Sequence, residues 1–273
     1  VHHRLHMALD GYSHVSMVKS LGLLILSLAD IIASDPPDWI VLAGDRGEQL
    51  AGAIVGAFNN IPVAHIQAGE LSGNIDGMTR HAIGKYVHLH LCSNEDAYNR
   101  LVSLGEQTIR IHNVGAPQLD ELVEGYYSSA NDLNNSFPFD INSDFFLVVQ
   151  HPITEDYQLS SVQIRETITA LNQFTQPKIV VCPNNDAGSH LIRDGIHRHK
   201  KGSYHVVSNL ARRDYLGLLK LATCVIGNSS SGILEAPTFK IPAINIGRRQ
   251  AGRLQATNII NSEFVATKII AAV

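Results

Sequence analysis

The sequence predicts an α/β fold of two doubly wound domains facing a shared cleft. Three observations predict it. Apolar runs of helical and strand length alternate along nearly all 273 residues, one polar stretch near the middle interrupts them, and polar turns follow strand after strand. An apolar share of 45% can fill the cores of two domains of ordinary size.

A helix is predicted over residues 17–33, and the Asp35-Pro36-Pro37-Asp38 turn ends it. A strand over 39–43 stops at Gly44-Asp45. Helix 48–58, strand 63–66, a glycine-rich loop, helix 78–87, strand 88–92, helix 94–103 and strand 108–114 complete a series that reads as a parallel sheet wrapped by helices. The segment 125–143, GYYSSANDLNNSFPFDINS, is polar, carries turn formers and has no sustained apolar period. It is taken as the link between a first domain of residues 1–126 and a second of residues 143–273. The second series runs through strand 145–150, helix 161–174, strand 178–182, helix 187–199, strand 204–207, helix 214–221, strand 224–226, helix 233–239 and strand 243–246. Open sheets of this type bind ligands outside the carboxyl ends of their strands, so the chemistry is expected there.

Charge and composition narrow the function classes. With 21 basic and 25 acidic side chains the net charge is −4, which gives no overall field to gather polyanions. Nucleic acid is therefore not an expected partner, while a local phosphate pocket stays open. No apolar stretch is read as reaching the ~18–20 uninterrupted residues of a membrane span, and no signal pattern opens the chain. A cytoplasmic protein with no membrane partner is expected. Cys92, Cys182 and Cys224, odd in number and set in or after apolar runs, read as reduced core thiols. Fourteen histidines occur without an H-E-x-x-H pattern; His88 and His90 sit two apart on a strand, and the VHHRLH start reads as solvated. No metal and no cofactor is expected. The chain starts at Val1, and residues 1–12 form no complete element, so upstream sequence is expected.

The strand ends carry Gly44-Asp45-Arg46, Gln67-Ala68-Gly69-Glu70, Gly115-Ala116-Pro117, Gln150-His151-Pro152, Pro183-Asn184-Asn185-Asp186 and Asn228-Ser229-Ser230-Ser231-Gly232. Any one of these serves equally as turn or capping chemistry; together they point to a site. In GNSSSGILEAP a strand gives way to a helix expected to begin near Ile233, leaving hydroxyls and amides at a helix start. That suits a phosphate or a plain serine cap. Arg248, Arg249 and Arg253 in GRRQAGR supply cations and favour the anion. In the first half Asp45, Glu70 and Asp76 are carboxylates fit for proton transfer. Arg80, one turn beyond Asp76, suits either an ion pair with it or a leaving phosphate. His151, between a strand and a proline, is a candidate cleft residue or a structural imidazole. Neither a P-loop nor a G-x-G-x-x-G fingerprint is present.

As a set, GDR at 44–46, HIQAGELSGNID at 65–76, RHAIGK at 80–85, GAPQLD at 115–120, PNNDAGS at 183–189, GNSSSGILEAP and NIGRRQAGR resemble the UDP-N-acetylglucosamine 2-epimerases over almost the whole chain. The RHAI-K run, the triple serine and GRRQ-GR are more similar to the hydrolysing branch that feeds sialic-acid and related pathways. The resemblance implies two Rossmann-like domains in the glycosyltransferase-B arrangement and a UDP-sugar substrate. By analogy it also implies a homo-oligomer. It implies catalytic roles for Asp45, Asp76 and His151. Arg80, Ser229, Ser230, Ser231 and Gly232 would hold the diphosphate, Glu235 the ribose, and Asn184, Asp186, Glu70 and Arg249 would line the substrate. Gln67 stands where the family has a catalytic glutamate, and an amide cannot take a proton from carbon. Asp45, Asp76 or Glu70 is then left as the base. The family's first strand with its basic glycine loop, and the last part of its C-terminal helix, are not found in this sequence. The reaction implied is UDP-N-acetylglucosamine plus water to N-acetylmannosamine plus UDP. The alternatives are the non-hydrolysing epimerase, a hydrolysing enzyme for a 4-acetamido-6-deoxy UDP-sugar, and a UDP-sugar binder of impaired chemistry.

Overall fold

Small residues decide how closely the first helices lie on their sheet. In the computed structural model, which describes residues 3–7 and 13–273, the chain divides into two compact units, Val1–Pro117 and Gln118–Val273. The expectation that residues 1–12 form no complete element lies largely outside the described residues.

The first unit holds four parallel strands, β1 (Ile40–Ala43), β2 (Val63–Ile66), β3 (Leu89–Cys92) and β4 (Ile111–Asn113), side by side in that order. Helices α1 (His14–Ser34), α2 (Gly47–Phe58), α3 (Ile75–Tyr86) and α4 (Glu95–Ser103) punctuate them. On α2, a Cβ at Gly52 would lie 2.7 Å from Leu42 Cδ2 and one at Gly56 would lie 2.5 Å from Val63 Cγ2. Glycine at both positions lets that helix settle closely on β1 and β2 without displacing Leu42 or Val63, where Leu42, Ala53, Val63, Ile83 and Val87 form a core. The first helix starts at His14 rather than near Met17, because Ser13 and Ser16 form a reciprocal capping box.

The membrane-length expectation is corrected. Among the described residues α1 alone is long and apolar enough to cross a membrane, with 21 residues. Its only charged residues are Lys19 and Asp30, too few to break the run. Leu24 and Ile32 are buried within the unit, while Val15, Val18 and Leu26 are exposed.

The second unit has six parallel strands: β5 (Phe146–Val149), β6 (Lys178–Val181), β7 (Tyr204–Val207), β8 (Cys224–Gly227), β9 (Ala243–Ile246) and β10 (Ile259–Ser262). Their spatial order is β10-β9-β8-β5-β6-β7. Counted within the unit this is the 3-2-1-4-5-6 order of a Rossmann sheet, with its switch point between β5 and β8. Leu147 and Val149 join Ile179, Val225 and Leu216 in one core. Phe146 and Val148 join Ile164, Ile168, Val180 and Ile226 in the other. Alternate side chains of β5 therefore feed both faces, as a sheet covered on both sides requires.

Helices α5 (Asp120–Val123), α6 (Ala130–Leu133), α7 (Ser160–Leu171), α8 (Ser189–His199), α9 (Arg212–Leu221), α10 (Ser230–Leu234) and α11 (Ala266–Ala272) complete the second unit. Residues 125–143, expected to link the domains, belong to it: Leu133, Phe137 and Ile141 are buried in its core, and Ser128 Oγ donates to Asp214 Oδ1 at 2.6 Å. Their apolar residues are too widely spaced to show a period, yet they anchor the segment by tertiary packing. Strand β10 was not anticipated, and helix α11 was given no bounds. Ile259 and Ile260 are a short apolar pair among polar residues, and pairing with β9 makes them a strand. The three cysteines are free thiols, and burial pushes the Cys224 thiol up to about 11.

Candidate active site

In the first unit Asp45, Gln67 and Glu70 gather on one arginine, and Asp76 accepts from Asn74. Arg80, on α3, is 2% exposed, and its guanidinium donates to Asp45 Oδ2, beyond β1, and to the Gln67 carbonyl, beyond β2, at 2.5 Å. Its Nη1 also lies 3.6 Å from Glu70 Oε2. Ser72 Oγ donates to the same Asp45 oxygen at 3.0 Å, and Asn74 Nδ2 donates to Asp76 Oδ2 at 2.9 Å. The sequence reading paired Arg80 with Asp76 or with a phosphate. The structure places it instead between Asp45 and Glu70, because the turn after β1 and the loop after β2, at the ends of paired strands, each bring one acid to its guanidinium.

That loop is bent by its own backbone. Gln67 has a φ of 62°, a left-handed conformation that costs a non-glycine residue about 1 kcal/mol or more. Its carbonyl is thereby delivered to Arg80. Gly69, at φ 77°, allows the close approach of α4, since a Cβ there would lie 2.5 Å from the Ala97 carbonyl oxygen.

His65, within β2 and fully buried, supports the turn that carries Asp45. Its Nε2 contacts the Gly44 carbonyl at 2.6 Å. Burial lowers its pKa from 6.5 to about 4, against the Gly44 hydrogen bond, which raises it. The ring is therefore neutral near pH 7, and Nε2 is its donor to Gly44. A folded-state pKa below the unfolded one means that the unfolded chain binds the proton first as pH falls. The associated stability is intact above pH 6.5 and is lost between pH 6.5 and 4. The loss from this group is expected to reach about 3 kcal/mol below that window. Urea midpoints of the wild type and His65→Gln across it should converge as pH falls; parallel curves would contradict the assignment.

In the second unit the candidates lie at the carboxyl ends of the central strands. His151 follows β5, Asn184 and Asp186 follow β6, and Ser229 to Ser231 follow β8 at the switch point. Helix α10 begins at Ser230, three residues before the expected start, because Ser229 Oγ accepts from Ser231 N at 3.3 Å and caps it. Ser230, Ser231 and Gly232 are thus its first turn. Ser231 Oγ donates to Glu235 Oε2 at 2.5 Å, and Arg212 Nη2 meets Glu235 Oε1 at 2.7 Å. Asn184 Nδ2 donates to Asp186 Oδ2 at 2.5 Å.

Of the three arginines after β9, Arg248 reaches Asp156 Oδ2 at 2.8 Å, whereas the buried Arg249 donates to the Asn228 carbonyl at 3.4 Å. Sequence reading gave no role to Arg212, Gln250, Ser72 and His65, and named Asn228 only as a strand-end residue. Ser72, His65 and Asn228 stand inside the quoted motifs; Arg212 has no motif to mark it. Among the described residues, no group of three or more His, Cys, Asp or Glu side chains is placed to hold a metal ion.

The arrangement offers a buried guanidinium flanked by two carboxylates in one unit. In the other it offers a capped, serine-rich helix start beside a histidine. These suit proton transfer and oxyanion binding respectively.

Comparison with known proteins identifies relatives along the whole chain. A family model described as UDP-N-acetylglucosamine 2-epimerase matches residues 1–273. A UDP-N,N'-diacetylbacillosamine 2-epimerase (hydrolyzing) of Legionella pneumophila is 35% identical over 263 residues, which is 96% of this chain and 70% of that protein. A UDP-N-acetylglucosamine 2-epimerase of Neisseria meningitidis serogroup B is 34% identical over 255 residues, 93% of this chain and 67% of its own length. The chain therefore spans about two thirds of these relatives. The fold matches that of Methanocaldococcus jannaschii UDP-GlcNAc 2-epimerase in complex with UDP-GlcNAc and UDP, at a TM-score of 0.78 and 18% identity. That match covers 93% of this chain and 73% of the other.

Proposed function

The chain belongs to the UDP-N-acetylglucosamine 2-epimerase family, and from that premise we propose that it is a hydrolysing 2-epimerase, converting UDP-N-acetylglucosamine and water to N-acetylmannosamine and UDP. The observation that carries this reading is the convergence of Asp45 and Glu70 on the buried Arg80.

H2 of the sugar is weakly acidic, so its removal has to be coupled to departure of UDP. A carboxylate of the first unit takes H2, the C–H pair forms a C1–C2 double bond, and the C1–O bond breaks with its electrons leaving on UDP. A second carboxyl group then gives a proton to the opposite face of C2 as water adds to C1. Two acid/base groups with different tasks need different surroundings. Asp45 and Glu70 share a guanidinium, whereas Asp76 accepts from the Asn74 amide. Gln67 contributes its main-chain carbonyl to Arg80 and takes no proton. In the second unit the start of α10 receives the diphosphate, with His151 serving the sugar or its leaving group. Stabilising the departing charge at such a donor set is worth about 3–4 kcal/mol for one good donor in other enzymes.

Proton NMR of the full-length protein with UDP-N-acetylglucosamine in heavy water tests this. Free UDP with N-acetylmannosamine deuterated at C2 is expected. A stable mixture of two UDP-sugars would overturn the hydrolysing outcome, and tight UDP binding without turnover would leave a UDP-sugar binder. A second reading, with UDP-N,N'-diacetylbacillosamine as the substrate, is favoured by the name of the 35% identical relative. The larger kcat/KM of the two sugars decides between them.

A further inference from the structure

Resting on the proposed role of His151, we infer that Asn228 is its positioning residue and that His151 is held as the Nε2–H tautomer. The parallel ladder between β5 and β8 ends at the pair Val149 and Gly227, after which Asn228 N donates to the Val149 carbonyl at 3.1 Å. Beyond that point pairing continues through a side chain. Asn228 Oδ1 accepts from His151 N at 2.7 Å, and Asn228 Nδ2 donates to the His151 carbonyl at 2.9 Å. A primary amide carries one acceptor and one donor group at the spacing of a peptide, so it acts here as one more rung of the sheet.

Asn228 is fully buried, so no water stands ready to replace either bond. Its own carbonyl accepts from Gln250 Nε2 at 2.9 Å and from Arg249 Nη1 at 3.4 Å, which ties the clamp to the loop after β9. Gly227 makes the geometry possible: its φ is 140°, and a Cβ there would lie 2.0 Å from the Val149 carbonyl oxygen.

The third contact fixes the ring. The Asn184 backbone N–H meets His151 Nδ1 at 3.1 Å. A backbone N–H can only donate, so Nδ1 is the acceptor and the proton of the neutral ring rests on Nε2. Three strand ends thus set the backbone, orientation and tautomer of one imidazole. An asparagine needed only for a turn would not commit both atoms of its amide to one neighbour's main chain.

The test is a double-mutant cycle in the full-length protein, combined with NMR of 15N-labelled histidine. Asn228→Ala is expected to lower kcat about 100-fold with KM changed less than about threefold, since a misplaced group costs rate rather than uniform binding. In a His151→Ala background the same change should cost less than about twofold. The wild-type imidazole should show the Nε2–H pattern, and Asn228→Ala should show a tautomer mixture. Should the alanine variant fail to fold, Asn228→Asp, which keeps the acceptor for His151 N–H but loses the donor, carries the same cycle. Equal losses in both backgrounds, or a wild-type proton on Nδ1, overturn the proposal. If the wild type turns over no UDP-sugar, the functional reading fails, while the tautomer in wild type and variant still decides whether Asn228 holds the ring.

Discussion

Replacing Arg80 with methionine is expected to destabilise the first unit by about 3–5 kcal/mol, the range for breaking a buried ion pair by removing one partner. The side chain is 2% exposed and faces Asp45, Glu70 and the Gln67 carbonyl, so its loss strands two acids and an acceptor where water cannot fully replace the guanidinium. Methionine keeps the length and apolar stem, which confines the effect to the head group. Arg80→Lys keeps the charge but not the planar fork, and should fall between the two. Trp39, the single tryptophan of the chain, lies beside β1 and reports unfolding of this unit in urea. A midpoint for Arg80→Met within the error of the wild type would show that the cluster is not held by this residue.

The second large effect is expected at Asp45. Asp45→Asn keeps an acceptor for Ser72 and Arg80 but cannot take or give the proton whose transfer we propose for Asp45. Turnover should drop by about 10²–10⁴-fold, the span typical of a lost general acid or base. UDP affinity by calorimetry should stay within about twofold, because the diphosphate is assigned to the start of α10 in the other unit. If Asp45 removes H2, exchange of deuterium into C2 should fall in step with turnover. Retained activity would move the chemistry to Glu70 or Asp76.

Much of this was legible in the sequence because parallel strands buried on both faces read as unbroken apolar runs. The strands at Phe146–Val149 and Cys224–Gly227 lie where such runs place them, and both are buried throughout. The misses have physical causes. Serine caps start α1 at His14 and α10 at Ser230, ahead of the apolar period that marked their beginnings. Residues 125–143 looked like a linker because Leu133, Phe137 and Ile141 lie too far apart to show periodicity, although packing buries them. At the site, the motifs contained the residues that meet Arg80, but spacing along the chain could not say which acid Arg80 would choose. Asp45 is 35 residues away in sequence, and only the parallel pairing of β1 with β2 brings their ends together. Asn228 was hidden for a similar reason, since its partner His151 is 77 residues distant.

The way Gln67 meets Arg80 bears on how this protein can change over generations. Because the contact is made by the carbonyl of the residue and not by its carboxamide, the side chain at this position can be exchanged without unseating the guanidinium. The left-handed φ of 62° limits that exchange, since a β-branched side chain would strain the turn that delivers the carbonyl, so position 67 accepts a new chemical group only on an unbranched stem.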